Sequence, residues 1–348
     1  MSISGNLIGL DIGQSHITAV RMASDDDGTL TPLQILEVGL PRSTFGAGGE
    51  LLRPEIVADG IKHLRAVKGL KAKKAVIALP GSVLSIQPVV RPNTLWGEDL
   101  NGSVRIELEP GLPYDRDQAH ITSRELERDT QEGGTVKVLT VAVNRNVPEQ
   151  LAAVVKKGGL QVVDILPAPI VLPRAIAHGS GTEVVLSVGM LSSSVMSITD
   201  GQVNYAQTIP LGSDHFTGAL VGSGFQPDEA ERWKKTHSLV APEGKADPYP
   251  DQRNALKGAA DSLVESVYQV MTYDASEGTT QGISRLVITG GGSLLSGLGG
   301  YLSSSLGLPV ELAEPHPLVR GVNGNKFSRY ALAMALAMTD EDDLRKDK

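Results

Sequence analysis

The sequence predicts an α/β protein: two copies of a βββαβ unit facing each other across a cleft, with a small α+β block inserted between them. Three observations predict it. A glycine turn joining two apolar strands occurs twice, first as Gly9-Leu10-Asp11-Ile12-Gly13-Gln14-Ser15 and again as Leu186-Ser187-Val188-Gly189-Met190-Leu191-Ser192-Ser193. The elements around each turn come in the same order. And 348 residues exceed what one apolar core usually serves.

In the first copy, apolar runs at 6–10, 17–22 and 33–38 read as strands, with Asp25-Asp26-Asp27-Gly28 as the turn between the second and third. A helix starts at Pro54, a residue suited to the first helical position, and carries Ile56, Val57, Ile61 and Leu64 on one face. A buried strand at 74–79 closes the unit at Pro80-Gly81. The second copy has strands at 184–188, 195–199 and 203–210, with Asp200-Gly201 in the place of Asp27-Gly28. Helices follow at 213–221, 227–236 and 254–274, then a strand at 285–289 that runs into Gly290-Gly291-Gly292. Between the copies, residues 82–166 read as strand 83–90, helix 96–109, strands 119–126 and 137–143, and helix 148–157. The Pro-rich stretch 241–251 reads as a mobile surface loop, and 331–338 as a core helix packed on the first lobe. The expected division is 1–82, 167–181 and 318–340 for the first lobe, 83–166 for the insert, 182–317 for the second lobe and 341–348 for a disordered tail.

Composition excludes several functions. A net charge of -8 argues against a nucleic-acid binder, which needs a cationic face. No cysteine is present, which removes disulfides, thiolate nucleophiles and Cys-based zinc sites and fits a reducing compartment. No signal-peptide pattern opens the chain and no run nears the roughly twenty apolar residues of a bilayer span, so a cytoplasmic location is expected. The seven histidines are scattered, without ligand spacing, and no Gly-x-Ser-x-Gly elbow exists.

The chemistry lies in the glycine turns. Without bulky side chains, backbone N–H groups of a tight turn can converge on one anion, and nearby Ser hydroxyls add donors. Two such turns face to face can clamp a polyphosphate, so a nucleotide is the natural ligand. Asp11 cannot bind an anion; its carboxylate suits a Mg2+ ion, or else only caps its turn through an Asx bond. Gly290, Gly291 and Gly292 let the backbone pass close to a flat base, with Ser293 expected to cap a helix starting near 294. Glu231 and Lys234, at i and i+3, share a helix face and are either ligand contacts or a surface ion pair.

These motifs together resemble the actin-like ATPase superfamily. Residues 9–13 look like its first phosphate loop, 186–194 like the second, and Val287-Ile288-Thr289-Gly290-Gly291-Gly292-Ser293-Leu294-Leu295 like the adenosine loop. Ile209-Pro210-Leu211-Gly212, Thr217 and Ala230-Glu231-Arg232-Trp233-Lys234 complete the pattern of the branch that contains FtsA and PilM. The resemblance implies an actin-like, ribonuclease H-like fold with an FtsA/PilM-type insert. It implies ATP and Mg2+ as cofactors, with Asp11, Gly13, Gln14, Ser15, Gly189, Ser192, Ser193, Gly212, Glu231, Lys234, Gly290, Gly291, Gly292 and Ser293 at the nucleotide and Asp11 at the metal.

Three departures imply weak or absent hydrolysis, because phosphoryl transfer depends on positioned charge. Ser187 stands where the family commonly has Asp, Thr18 where it has Lys, and Leu166 where chaperone relatives place a carboxylate. Among the branches, sugar kinases need a catalytic Asp absent here, chaperones add a substrate domain, and FtsA adds a membrane helix that 340–348 does not resemble. Ile106-Glu107-Leu108-Glu109-Pro110-Gly111-Leu112-Pro113-Tyr114 and residues 138–164 resemble the type IV pilus assembly PilM family. That implies an ATP-binding adaptor whose groove, between first lobe and insert, takes the N-terminal cytoplasmic peptide of PilN. Contact with pilus motor ATPases, self-association and membrane attachment only through the partner follow from the same resemblance. An active ATPase, a small-molecule kinase and an FtsA-like filament are the alternatives.

Overall fold

The computed structural model describes residues 6–241, 244, 246–276 and 282–339. The tail expected over 341–348 and part of the expected 241–251 loop lie outside the described residues.

Strands β1 (Leu7–Ile12), β2 (His16–Ser24) and β3 (Leu30–Gly39) form an antiparallel meander; helix α1 (Pro54–Ala66) crosses over, and β4 (Lys74–Leu79) returns parallel to β1. Leu7, Ile8 and Leu10 are all buried because both faces of this central strand are covered. The insert follows as β5 (Leu84–Pro92), α2 (Gly97–Leu108), β6 (Ala119–Arg128) and β7 (Thr135–Asn144). Its antiparallel sheet, ordered β5-β7-β6, packs Val89, Val136 and Val138 against Leu100, Val104 and Leu108 of α2.

Helix α3 (Asn146–Lys157) and strand β8 (Gln161–Pro167) correct the expected insert of 83–166. β8 pairs parallel with β4 and completes a sheet ordered β3-β2-β1-β4-β8, while Leu151, Val154 and Val155 of α3 join Ile61 and Leu64 of α1 in one core. The parallel neighbour that β8 needs is offered by β4, so 146–167 sits with the first sheet.

A short helix α4 (Ala168–Val171) leads into β9 (Thr182–Val188), β10 (Ser193–Thr199) and β11 (Gln202–Ile209), then α5 (Ser213–Gly222), α6 (Pro227–Thr236) and α7 (Pro250–Ser276). After these come β12 (Leu286–Thr289), α8 (Leu298–Leu306), β13 (Val310–Leu312) and α9 (Gly324–Ala337). This sheet runs β11-β10-β9-β12-β13, the same arrangement as the first. Each unit is thus βββαβ extended by one more helix and strand.

The two sheets share an apolar seam. Phe327, Ala331, Met334 and Ala335 of α9 pack with Leu7, Val20 and Met22 of the first sheet, and the same cluster takes in Val185, Met196, Ile198 and Val287 of the second. Helix α9 lies so close to β1 that a Cβ on Gly9 would run into the carbonyl of Ala333 and come within 2.5 Å of the Ala337 nitrogen. Gly9 therefore serves helix-on-strand contact. Thermal unfolding should show this: Gly9→Ala is expected to cost about 1–3 kcal/mol through overpacking, whereas Gly300→Ala, with open space around it, should hold or raise the midpoint. Equal midpoints would contradict the packing account.

Candidate functional site

The repeat is sharpest where β1 and β9 end. The Gly13 N–H donates to the His16 carbonyl at 3.0 Å, and the Gly189 N–H donates to the Ser192 carbonyl at 3.0 Å. Asp11 pairs in register with Thr18, and Ser187 with Ser194, so Asp11-Ile12-Gly13 and Ser187-Val188-Gly189 occupy equivalent places. The two turns meet: the Leu191 N–H donates to the Gln14 side-chain Oε1 at 3.0 Å. The first loop thus touches the second through one of its expected ligand residues.

Glycines hold the second turn in place. Gly212 lets α5 begin directly beneath it, where any Cβ would strike the Met190 carbonyl. The first amides of α5 are then taken up, Ser213 N–H by the Gly189 carbonyl at 2.8 Å and Asp214 N–H by the Met190 carbonyl at 2.9 Å. Gly290 has φ +84°, and a Cβ there would lie 2.5 Å from the Val188 carbonyl. Its N–H donates to the Ser328 carbonyl of α9 at 3.1 Å. Gly292 is buried against Val188, while Gly291 is exposed with open space beside it.

Several expected ligand residues are committed elsewhere. Ser193 is buried and its hydroxyl donates to the Leu211 carbonyl at 2.5 Å. Ser293 is buried, donates to the Gly290 carbonyl at 2.7 Å and caps no helix. The 3-10 turn Gly291–Leu294 follows the triplet, and α8 starts only at Leu298, after the left-handed Gly297. Lys234 is not on the surface: its ammonium donates to the Ser213 carbonyl at 3.0 Å and Thr217 Oγ1 at 2.8 Å, and pairs with Glu231 at 2.8 Å. It braces the α5–α6 corner and has no proton to spare. Ser192 and Ser15 remain partly exposed at their turns, Ser15 Oγ lying 2.9 Å from His16 Nδ1.

Two carboxylates are driven in opposite directions. Burial pushes the Asp11 carboxyl up to about 6. No hydrogen bond or ion pair holds it among the described residues, so the Asx-cap alternative is not what the structure forms. Burial would also raise Glu231, but Lys234, Thr217 and Lys235 outweigh it and hold that carboxyl down at about 2. Sequence reasoning missed Arg42, whose Nη1 reaches across the cleft to Asp214 Oδ1 at 2.5 Å, with Nη2 3.8 Å from Glu231 Oε2. These partners are 172 and 189 positions apart along the chain, beyond any local spacing signal.

The family described as "Type IV pilus assembly protein PilM" matches residues 9–340 of this chain.

This chain belongs to the PilM family.

Among solved structures, the "PilM-PilN type IV pilus biogenesis complex" superposes with a TM-score of 0.79 at 20% identity, covering 96% of this chain and 98% of that one. The ethanolamine utilization protein EutJ from Carboxydothermus hydrogenoformans follows with TM-score 0.59 and 15% identity over 96% and 89%. MreB 5 of Spiroplasma citri bound to AMPPNP gives 0.55 and 14% over 98% and 97%. The fold of this PilM relative is therefore actin-like.

A nucleotide with Mg2+, which this fold implies, is compatible with the residues present. Among the described residues no three His, Asp or Glu side chains gather as a metal cage. Mg2+ commonly takes one or two carboxylates and leaves the rest to phosphate and water, a role that the unpartnered Asp11 fits. The metal would supply charge to the phosphates; the Gly13 and Gly189 turns, with Leu191 N–H, would orient them.

Asp11 also sets a pH dependence. Its folded pKa of about 6 lies above the ordinary 3.8, so ionising it costs stability; that cost is absent below about pH 4 and fully felt above about pH 6. In the ligand-free chain, Asp11→Asn should raise stability by on the order of 1–2 kcal/mol near pH 7.5 and leave it unchanged near pH 3.5. Unfolding scans at the two pH values check this, and a loss near pH 7.5 would contradict it.

Proposed function

We propose that this PilM-family chain binds Mg·ATP between its lobes and acts as a cytoplasmic adaptor of the type IV pilus inner-membrane platform. In this reading it captures the N-terminal cytoplasmic peptide of a PilN-type protein and passes that contact on to the pilus motor ATPases. The observation that carries the nucleotide reading is the pair of matched turns, Gly13 to His16 and Gly189 to Ser192, meeting through Gln14 and Leu191 above an unpartnered Asp11. Family membership supports the pilus role, and likeness to a PilM that was solved together with PilN supports the choice of partner. Among the described residues no helix is long and apolar enough to cross a membrane; in this reading, membrane attachment runs through the PilN-type partner.

Hydrolysis is expected to be slow. Ser187 fills the place in the second turn that Asp11 fills in the first, Thr18 lies directly opposite Asp11, and Leu166 in β8 is aliphatic. Of the two matched turns only the first then brings a carboxylate, Asp11, to metal and water, where phosphoryl transfer needs several placed charges. The groove for the partner peptide is proposed between first lobe and insert, where an extended segment can be held by backbone hydrogen bonds and apolar pockets.

Calorimetry with the purified chain should register Mg·ATP uptake that falls about tenfold or more in Asp11→Ala, a loss of at least about 1.4 kcal/mol. Phosphate release should stay near background. No adenine-nucleotide uptake would overturn the nucleotide reading, and sustained turnover abolished by Asp11→Ala would replace the adaptor with an active ATPase. Fluorescence anisotropy with a labelled PilN N-terminal peptide tests the partner separately, saturable binding being the expected result.

A further inference from the structure

Among the described residues, Gln14 and Arg42 each make a polar contact across the cleft, at atoms that the proposed nucleotide would need. At the first, Leu191 N–H is occupied by Gln14 Oε1 at 3.0 Å, a neutral oxygen standing where a phosphate oxygen would be received. At the second, Arg42 from the turn after β3 donates to Asp214 Oδ1 at 2.5 Å and lies 3.8 Å from Glu231 Oε2. Lys234 and Lys235 face the same carboxylate from α6. Glu231 stays ionised because Lys234, Thr217 and Lys235 outweigh its burial. The Arg42 side chain is 55% exposed, so its attraction to the far lobe is open to salt.

We propose that Arg42 and Gln14 form a latch that closes the ligand-free cleft and that the incoming nucleotide displaces. This rests on the cleft being the nucleotide site for its second half only; closure of the empty lobes stands on the contacts themselves. A phosphate oxygen at Leu191 N–H must expel the Gln14 carboxamide. A ribose hydroxyl at Glu231 competes with Arg42 for the same carboxylate. Ligand entry and latch opening are therefore one exchange of partners, and lobe closure without ligand slows capture. Gln14 keeps the ligand role expected for it only by turning away from Leu191.

The absence of cysteine allows a direct test, because labels attach only where cysteines are introduced. Val67→Cys on the first lobe and Tyr268→Cys on the second lie at exposed positions away from the latch. Spin-label distance measurement on this pair, without nucleotide, should give a narrow distribution that broadens and lengthens in Arg42→Ala, with Arg42→Lys in between. About 1 M KCl should broaden the distribution of the Arg42 parent in the same way, without any change to the latch that could disturb folding. Stopped-flow capture of a fluorescent Mg·ATP analogue should become about two- to fivefold faster in Arg42→Ala, the scale of an exposed ion pair. Distance distributions unchanged by both Arg42→Ala and salt would overturn the latch. If no nucleotide binds the parent chain, the distance measurements still decide the latch, and that failure belongs to the nucleotide reading.

Discussion

The spacing of the two lobes depends on helix α9. One face of it lies on β1, where Gly9 removes the side chain that would hold helix and strand apart. The Ser328 carbonyl, in its second turn, accepts from Gly290 N–H at 3.1 Å and from Thr289 Oγ1 at 3.3 Å in the other lobe. The helix is thus fixed to the end of β12 by hydrogen bonds and to β1 by close packing. The matched turns after β1 and β9 face each other because α9 sets both at once. Its apolar residues belong to a core cluster that runs unbroken from the first sheet to the second. Burial on that scale is what makes a rigid base for a cleft whose mouth carries the polar contacts of Gln14 and Arg42.

On that base the cleft separates two electrostatic environments. Asp11 is half-buried without a partner among the described residues, so its charge is costly until a cation arrives, while Glu231 is partnered so well that it remains charged at any physiological pH. Under the proposed function the first arrangement would suit a metal at the phosphates. The second holds a fixed acceptor between Arg42, Thr217 and Lys234. A ligand with a metal-bound anionic part and a neutral hydroxylated part matches both. Under the proposed function the same division would separate binding from hydrolysis: binding needs amides and one carboxylate, whereas hydrolysis needs charges that Ser187, Thr18 and Leu166 do not provide.

Much of the fold was legible in the sequence because its signals are local. The turns at Gly13 and Gly189, the Pro54 helix start and the apolar runs of β1, β4, β9 and β12 each follow from a few adjacent residues. What was not legible depended on distant neighbours. β8 reads as one more strand of the insert until β4 is seen beside it, and the three residues of β13 are too few to show a period. Ser293 precedes an apolar run and so resembles a helix cap, but Gly297 turns the chain left-handed and delays the helix. At the cleft, the sequence located the loops but not the commitments of individual atoms. Ser193 and Lys234 carry the expected chemistry and spend it on Leu211, Ser213 and Thr217, while Arg42 gave no sign because its partners come from the other lobe.

Hydrogen exchange followed residue by residue, with and without Mg·ATP, tests the central claim most directly. If two equivalent turns grip one nucleotide, exchange should slow together at residues 12–15 of the first lobe and at 188–192 and 289–292 of the second, with the outer faces of α1 and α7 unaffected. Protection confined to one lobe, or none in either, would contradict the account.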